Sequence, residues 1–345
     1  PLGGARAAFG GARAGRGRDA RADMLWVRIA LIVCGVVALA AGGLLWFTYR
    51  VARGLLRPER KALALTPPDV GLTLEDVRIA GPSGALAAWY LPARNGRTLI
   101  CCHGIHDNRG QWLEQVAKLH ARSGYGAVLF DFAGHGHSDG AMVTYGIRER
   151  ADVAAIIGWL RARGDVNMDG LAIMGYSLGA IAATLAAVAA PELRALVIES
   201  GFADLQHDIA QLFTRFTHLP AFPLANLVVW WAQRMADVRL SDIRPAQVIG
   251  RVSPRATLII ADLADGLADE PYDGERLYAA AGEPKELWQL ADVGHVQGFV
   301  ERPDEWMARV GGFLDRYLAE PVAEEQARPH PSPLPEGDGE ERMRS

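Results

Sequence analysis

The sequence predicts an α/β fold, in which a doubly wound and mostly parallel sheet with a helical cap insertion is preceded by one transmembrane helix. Short apolar strands alternate with helical patterns through the middle of the 345-residue chain. This alternation is typical of a parallel sheet that is covered on both faces. Near the amino end, residues 29–47 carry no charge. As a helix they would span roughly 28 Å, about the thickness of a bilayer core.

Composition limits the classes of function that the chain can have. Hydrophobic residues make up 50% and charged residues 22% of the chain, which is enough to bury a sizeable core. The net charge of -4 provides no basic field, so we expect no nucleic-acid partner. Cys34 lies in the apolar segment, and Cys101 and Cys102 are adjacent in an apolar strand, so no disulfide framework is predicted.

The amino-terminal part is expected to anchor the protein in a membrane. Residues 1–23 are rich in Gly, Ala and Arg and predict a disordered segment. Residues 25–49 predict the transmembrane helix, and residues 50–73 a linker. A cleaved signal peptide is the alternative, because Ala38-Leu39-Ala40 resembles a cleavage site. The apolar run continues to Phe47, beyond the length that a signal peptide needs, which favours the anchor.

Basic residues leave the membrane orientation open. If the chain starts at Met24, one arginine before the apolar stretch faces five basic residues after it, from Arg50 to Lys61. That asymmetry places the carboxyl-terminal domain in the cytoplasm. If the five arginines before Met24 belong to the protein, the asymmetry disappears.

The remaining chain predicts one domain over residues 74–318. It opens with a hairpin, from residues 74–79 and 86–91, which turns at Gly81-Pro82-Ser83-Gly84. The later strands are predicted at residues 98–102, 127–131, 171–174, 195–199, 257–261 and 286–290, and the helices at 111–123, 147–163, 178–190 and 303–318. An aromatic-rich segment at 204–250 interrupts the alternation and predicts the cap. Residues 319–345 are rich in Pro, Glu and Gly and predict a disordered tail.

A candidate nucleophile lies in Gly175-Tyr176-Ser177-Leu178-Gly179, between an apolar strand and an Ala-rich helix. A strand, a sharp turn and a helix with a serine at the turn form the nucleophile elbow, which needs small residues on both sides of the serine. The alternative is that Ser177 only caps the helix, because serine is a common N-cap residue.

The partners of a nucleophilic serine should follow other strands, because the carboxyl ends of parallel strands meet at one edge of the sheet. His295 follows the last strand and predicts the base. Asp265 predicts the acid, with Asp262 and Asp269 as alternatives in the same loop. Asp262 directly follows the strand and is expected to bind local amides. Ser177, Asp265 and His295 occur in the chain order of this architecture.

Two backbone amides complete the predicted site. The N–H groups of Ile105 and Leu178 are expected to form an oxyanion hole. His103 and His106 lie beside this loop and predict hydrogen-bonded structural residues. The motif His135-Gly-His137-Ser-Asp139 begins like a metal motif, but Gly140 stands where the next histidine would be, so we expect no metal and no other cofactor.

These motifs in series resemble the α/β-hydrolase superfamily, and in particular its membrane-anchored, esterase-like branch related to the serine aminopeptidase and Bem46-type hydrolases. The resemblance runs from about Leu74 to Leu318 and rests on His103-Gly104, residues 131–138, residues 175–179, Asp265 and Gly294-His295. Asp262 departs from the pattern, because family members usually carry a small residue there.

The expected function is that of a membrane-anchored serine hydrolase. It would cleave a carboxylic ester, small or lipid-like, through an acyl-enzyme on Ser177, with membrane lipid around the amino-terminal helix. Peptidase or thioesterase activity with the same triad is the enzymatic alternative. A membrane-anchored binding protein that has kept the fold without activity is the alternative of another class.

Overall fold

One eight-stranded sheet organises this computed structural model, which describes residues 20–267 and 272–319. The predicted disordered segments, except residues 20–23 and 319, lie outside the described residues, and so does Asp269. The strands are β1 Glu75–Gly81, β2 Gly84–Leu91, β3 Thr98–Cys102, β4 Gly126–Phe130, β5 Leu171–Tyr176, β6 Leu193–Glu199, β7 Ala256–Asp262 and β8 Lys285–Leu290. The helices are α1 Ala20–Leu56, α2 Leu113–Ser123, α3 Glu149–Arg163, α4 Leu178–Ala189, α5 Leu205–Thr217, α6 Ala221–Ala236, α7 Pro245–Val248, α8 Tyr272–Ala280, α9 Gly298–Glu301 and α10 Pro303–Tyr317.

The sheet has the order β1-β2-β4-β3-β5-β6-β7-β8, which confirms the predicted doubly wound α/β fold. β1 pairs antiparallel with β2, and β2 with β4, while the remaining neighbours are parallel. The hairpin closes where Gly81 faces Gly84. Because these strands are parallel, their carboxyl ends lie at one edge of the sheet, where the candidate residues of the site gather.

The core lies on both faces of the sheet, because successive side chains of a strand point to opposite sides. On β3, Ile100 belongs to the cluster on one face and Leu99 to the cluster on the other. Every residue of β3, β4 and β5 is buried. Strands covered on both sides read as continuous apolar runs, which is the pattern that the sequence shows here.

Helix α1 differs from the prediction at both ends. It begins at Ala20, and it continues through Arg50 and Arg53 to Leu56, into residues that the sequence assigned to a linker. Arginine is a good helix former, so these residues mark the end of the apolar stretch without ending the helix. Within Asp23–Leu56, an 18-residue stretch has a mean hydropathy of 2.5, and none of this stretch is buried. The helix is therefore long and apolar enough to span a membrane.

The last turns of α1 pack against the segment inserted between β6 and β7. One cluster of buried residues joins Ala52 and Leu56 of α1 to Phe213 of α5 and to Ala225 and Val228 of α6. Helices α5 and α6 lie within the predicted cap at residues 204–250. The cap therefore packs on the end of α1 and also on α4, whose Ile181 shares a second cluster with Leu205 of α5.

Candidate active site

The turn between β5 and α4 holds Ser177 in a strained conformation. Its backbone has φ 52° and ψ -112°, a region that residues with a side chain rarely adopt. A Cβ on Gly175 would lie 2.3 Å from the carbonyl oxygen of Gly179, and one on Gly179 would lie 2.2 Å from the carbonyl oxygen of Cys102. Neither contact is tolerable, so both glycines are required for strand and helix to approach this closely.

The hydroxyl of Ser177 has no capping role. Its side chain makes no hydrogen bond with the first turn of α4. Its backbone N–H donates to the carbonyl oxygen of Glu199 at 3.0 Å, which fixes the turn to the end of β6. The geometry therefore disfavours the alternative that Ser177 is only an N-cap.

Asp265 and His295 are brought together in the loops after β7 and β8. Nδ1 of His295 lies 2.5 Å from Oδ2 of Asp265, whose side chain is 1% exposed. The other oxygen of Asp265 accepts from the backbone N–H of Leu267 at 2.8 Å. The carboxylate is thus fixed at both oxygens, and the imidazole has only Nε2 left for another partner.

The predicted base and nucleophile follow β8 and β5, at the same edge of the sheet. No hydrogen bond joins Ser177 to His295 within the described residues. Both loops are tied to the end of β6. The N–H of Ser177 donates to the carbonyl oxygen of Glu199, and the N–H of Val296, which follows His295, donates to Oγ of Ser200 at 3.1 Å. In enzymes without substrate the catalytic hydrogen bonds are often long, and they shorten when substrate binds.

Asp262 has a role that differs from the one expected from sequence. The sequence suggested that it binds local amides. Instead its Oδ2 accepts from the hydroxyl of Ser200 at 2.7 Å and from the backbone N–H of Val296 at 2.9 Å, next to His295. The difference arises because β6, β7 and β8 are neighbours in the sheet, so that their loops meet although they are distant in sequence.

Glu199 is a functional candidate that sequence reasoning missed. It is 1% exposed at the end of β6 and accepts from the N–H of Gly298 at 3.0 Å and from the indole N–H of Trp306 at 3.3 Å. Burial, then the neighbouring Asp262 carboxyl, raises the pKa of Glu199; burial also raises the pKa of Asp262. A charged residue directly after the buried apolar run at residues 195–198 was the available signal.

The loop after β3 lies against the nucleophile. Gly104 donates its N–H to Oε1 of Gln111 at 2.8 Å, and a Cβ on Gly104 would lie 3.7 Å from Cβ of Ser177. Ile105 and Leu178 line the same cavity as Ser177. Within the described ranges, no hydrogen bond engages the N–H of Ile105 or of Leu178, so both donors remain available to an oxyanion.

His103 and Asp131 hold the surrounding loops through hydrogen bonds, whereas His106 lines the cavity beside Ser177. Nε2 of His103 accepts from the N–H of Phe132 at 3.0 Å, its Nδ1 lies 2.7 Å from the carbonyl oxygen of Gly104, and burial lowers its pKa. Asp131 pairs with Arg109 at 2.6 Å and accepts from the N–H of His137 at 2.8 Å. No group of three potential metal ligands occurs among the described residues.

A cavity of about 230 Å³ opens beside Ser177. Its walls are almost entirely apolar and include no Asp, Glu, Lys or Arg among the described residues. The cap contributes residues such as Leu212 and Val228, and the end of α1 contributes Val51 and Leu55. Leu267 brings the loop of Asp265 to the same cavity.

Comparison with known proteins places these features in a wider context. Residues 76–253 match the model of the family described as X-Pro dipeptidyl-peptidase (S15 family). An uncharacterized protein of Mycobacterium tuberculosis, Rv2307c, is 32% identical over 275 residues, which cover 77% of this chain and 88% of that protein. The uncharacterized protein YfhR of Salmonella typhimurium is 30% identical over 256 residues, covering 71% and 81%. The esterase Pf2001 of Pyrococcus furiosus has a similar structure, with a TM-score of 0.65 and 25% identity over 77% of this chain and 99% of that chain.

Proposed function

The chain belongs to the X-Pro dipeptidyl-peptidase (S15) family of the α/β-hydrolase superfamily, and we propose that it is a serine hydrolase that cleaves carboxylic esters. The observation that carries the proposal is the hydrogen bond between Asp265 and His295, at the same edge of the sheet as a serine held at a strained elbow. The esterase Pf2001 supports the choice of substrate bond.

The mechanism follows from the atoms of these residues that are not already engaged in hydrogen bonds. Because Asp265 accepts from Nδ1–H of His295, Nε2 carries the lone pair that can take the hydroxyl proton of Ser177. Oγ of Ser177 then attacks the ester carbon, and the N–H groups of Ile105 and Leu178 stabilise the oxyanion. His295 returns the proton to the leaving alkoxide, which leaves as an alcohol. Water, activated by the same Nε2, hydrolyses the acyl-enzyme and releases the acid.

The cavity favours an apolar acyl group. Its uncharged walls offer apolar contacts to an alkyl chain, whose burial stabilises binding by roughly 0.8 kcal/mol for each CH₂. Two wall residues, Val51 and Leu55, belong to the helix that we propose to be a single-pass membrane anchor. A lipid-like ester is therefore the substrate class that fits both the walls and the location.

The family description favours a second candidate, peptidase activity with the same triad. A dipeptidyl-peptidase must recognise the free amino group of its substrate, and an ammonium ion needs a carboxylate or several acceptors when it is taken out of water. The described walls of the cavity contain no Asp or Glu. This favours the ester over the peptide, and a thioester remains compatible with the same site.

Two measurements test the proposal. A fluorophosphonate probe should label the wild-type chain at Ser177 and should not label Ser177→Ala. A series of p-nitrophenyl esters of increasing acyl length should then show a rising kcat/KM up to the length that fills the cavity, and an X-Pro dipeptide amide should be a poor substrate. Absence of labelling on the folded wild type would instead support the catalytically silent binding protein.

A further inference from the structure

The cap contains a second apolar segment of unusual composition. From Phe216 to Gln233 the chain has no Asp, Glu, Lys or Arg, and arginines stand directly before and after it, at 215 and 234. Surface helices of soluble domains normally carry charges on their outer face. This segment has none, although it forms the end of α5 and most of α6.

The same segment exposes large apolar side chains. Outside α1, the described residues include six large hydrophobic side chains that are exposed, and four of them lie here. They are exposed by 39% to 79%, and they are Phe216, Leu219, Phe222 and Trp230. Apolar groups that are concentrated in this way mark a surface that is covered by a partner.

The exposed side chains adjoin the membrane helix. Phe47, near the end of the charge-free stretch of α1, packs against the cluster that contains Leu224, Val228 and Ala232 of α6. The ring of Tyr49 lies 5.4 Å from the ring of Trp231 in an edge-to-face contact. The uncharged part of the cap thus meets α1 where aromatic residues are expected at the membrane–water interface.

We infer that the segment from Phe216 to Gln233, here called the cap stripe, lies in the surface of the bilayer that α1 crosses. The inference rests on the proposed membrane anchor. Its partner is the boundary between headgroups and acyl chains, where Trp and Phe side chains of interfacial helices are buried. Continuity with α1 selects the bilayer as the partner, because any other occupant would have to fit beside the lipid around that helix.

The cap stripe also borders the active site. Phe216 and Val228 of the stripe line the cavity of Ser177, together with Val51 and Leu55 of α1. An ester dissolved in the bilayer could therefore reach the cavity between two elements that both contact lipid. Substrate would be taken from the membrane, and a water-soluble ester would not need this contact.

An environment-sensitive label at position 222 tests the location of the stripe. Cys34 is replaced by serine in the full chain. Cys101 and Cys102 are buried in β3, where burial raises the pKa of both thiols, so we expect the label not to reach them. Phe222→Cys is then labelled with NBD and reconstituted in phosphatidylcholine vesicles. The matched control is Asp169→Cys, since Asp169 is exposed at the amino end of β5, opposite the edge that carries the cap.

We expect NBD at position 222 to be blue-shifted, quenched by nitroxide lipids and protected from iodide, whereas NBD at position 169 should be quenched by iodide. If the chain floats with the vesicles while both labels respond alike to iodide, the stripe is not in the membrane. Shielding that persists in detergent but is lost on dilution would show a second copy of the chain instead and overturn the inference. A chain that does not float would overturn the anchor, and this inference with it.

An activity measurement gives an independent result. Phe222→Glu with Trp230→Glu changes two exposed residues outside the cavity walls. We expect hydrolysis of a long-chain ester in vesicles to fall at least tenfold, and hydrolysis of p-nitrophenyl acetate to change less than twofold. Equal losses on both substrates, or no loss on either, would contradict uptake from the bilayer.

Discussion

Asp262 accepts a hydrogen bond from the backbone N–H of Val296 at 2.9 Å, so a buried carboxyl group holds the residue that directly follows His295. Asp265, three residues later, holds the imidazole ring itself. Asp262 at the end of β7 and Asp265 in the loop after it therefore have separate tasks. One positions the backbone of the histidine loop, and the other orients the ring.

This division predicts unequal effects of two similar substitutions. Asp265→Asn should lower kcat by about 10⁴, because an amide cannot hold the imidazole in the tautomer with its lone pair at Nε2. Asp262→Asn should lower kcat by less than about tenfold, because the amide oxygen still accepts from Val296. Ester kinetics on both folded variants at one pH decides between them. If Asp262→Asn were the inactive variant, the acid would be misassigned.

Ser177→Ala should abolish ester hydrolysis and leave the fold unchanged. The turn is fixed through the backbone N–H of Ser177, which alanine retains, and the hydroxyl makes no capping hydrogen bond. Loss of the nucleophile should cost on the order of 10⁴ to 10⁶ in kcat. The matched control is Ser83→Ala in the exposed hairpin turn, which should keep full activity. A folded Ser177→Ala protein with more than a tenth of the wild-type turnover would exclude the mechanism.

The parts of the site that could be predicted from sequence are those set by local geometry. Gly175 and Gly179 encode the elbow through contacts between adjacent elements, and the order of Ser177, Asp265 and His295 follows from the order of strand ends. The network of Glu199, Ser200 and Asp262 could not be predicted in the same way. It joins side chains at the ends of β6 and β7 to the loop after β8, and no local pattern along the chain shows which of these side chains meet.

The buried pair predicts a pH dependence of stability. Because burial raises the pKa of Glu199 above its ordinary value of 4.5, the folded chain keeps a proton that the unfolded chain has lost. Between the ordinary and the raised pKa of Glu199, the native state binds more protons than the unfolded state. The free energy of unfolding therefore falls as the pH rises through this range. Glu199→Gln removes this titration, and its amide oxygen can still accept from the N–H of Gly298.

Thermal unfolding from pH 5 to pH 8 measures this effect. Over this range the Tm of the wild type should fall by about 4 °C more than the Tm of Glu199→Gln. This difference corresponds to roughly 1 to 2 kcal/mol in the free energy of unfolding for a domain of this size. The control is Glu114→Gln, which removes an exposed carboxylate on α2 and should follow the wild-type curve. Parallel curves for wild type and Glu199→Gln would show that the glutamate is ionised throughout.

The end of α1 shows a second limit of sequence reasoning. Arg50 and Arg53 indicate where the apolar stretch ends, and the following residues look like a linker when they are read alone. Their partners are the apolar faces of α5 and α6, more than 150 residues later in the chain. Only the tertiary contact shows that Val51, Ala52, Leu55 and Leu56 belong to the globular part.

This contact predicts that the stability of the domain depends on where the amino-terminal part is truncated. Removing residues 1–43 deletes most of the charge-free stretch and keeps the turns of α1 that pack on the cap. Removing residues 1–60 also deletes Ala52 and Leu56, which are buried, and Arg60, which donates to the carbonyl oxygens of Gly136 and Ser138 at 2.8 and 2.6 Å. Each fully buried leucine that is lost costs about 1.5 to 3 kcal/mol.

We therefore expect the protein without residues 1–43 to keep its Tm in mild detergent within about 2 °C of the full chain, a difference of under roughly 1 kcal/mol. The protein without residues 1–60 should unfold at a clearly lower temperature and aggregate through the uncovered cap. It should also lose its preference for long acyl chains, because Val51 and Leu55 no longer line the cavity. Leu56→Ala in the shorter truncation isolates the packing contribution and should cost about 2 to 5 kcal/mol. Equal Tm values and equal acyl-chain profiles for the two truncated proteins would show that the end of α1 is a linker after all.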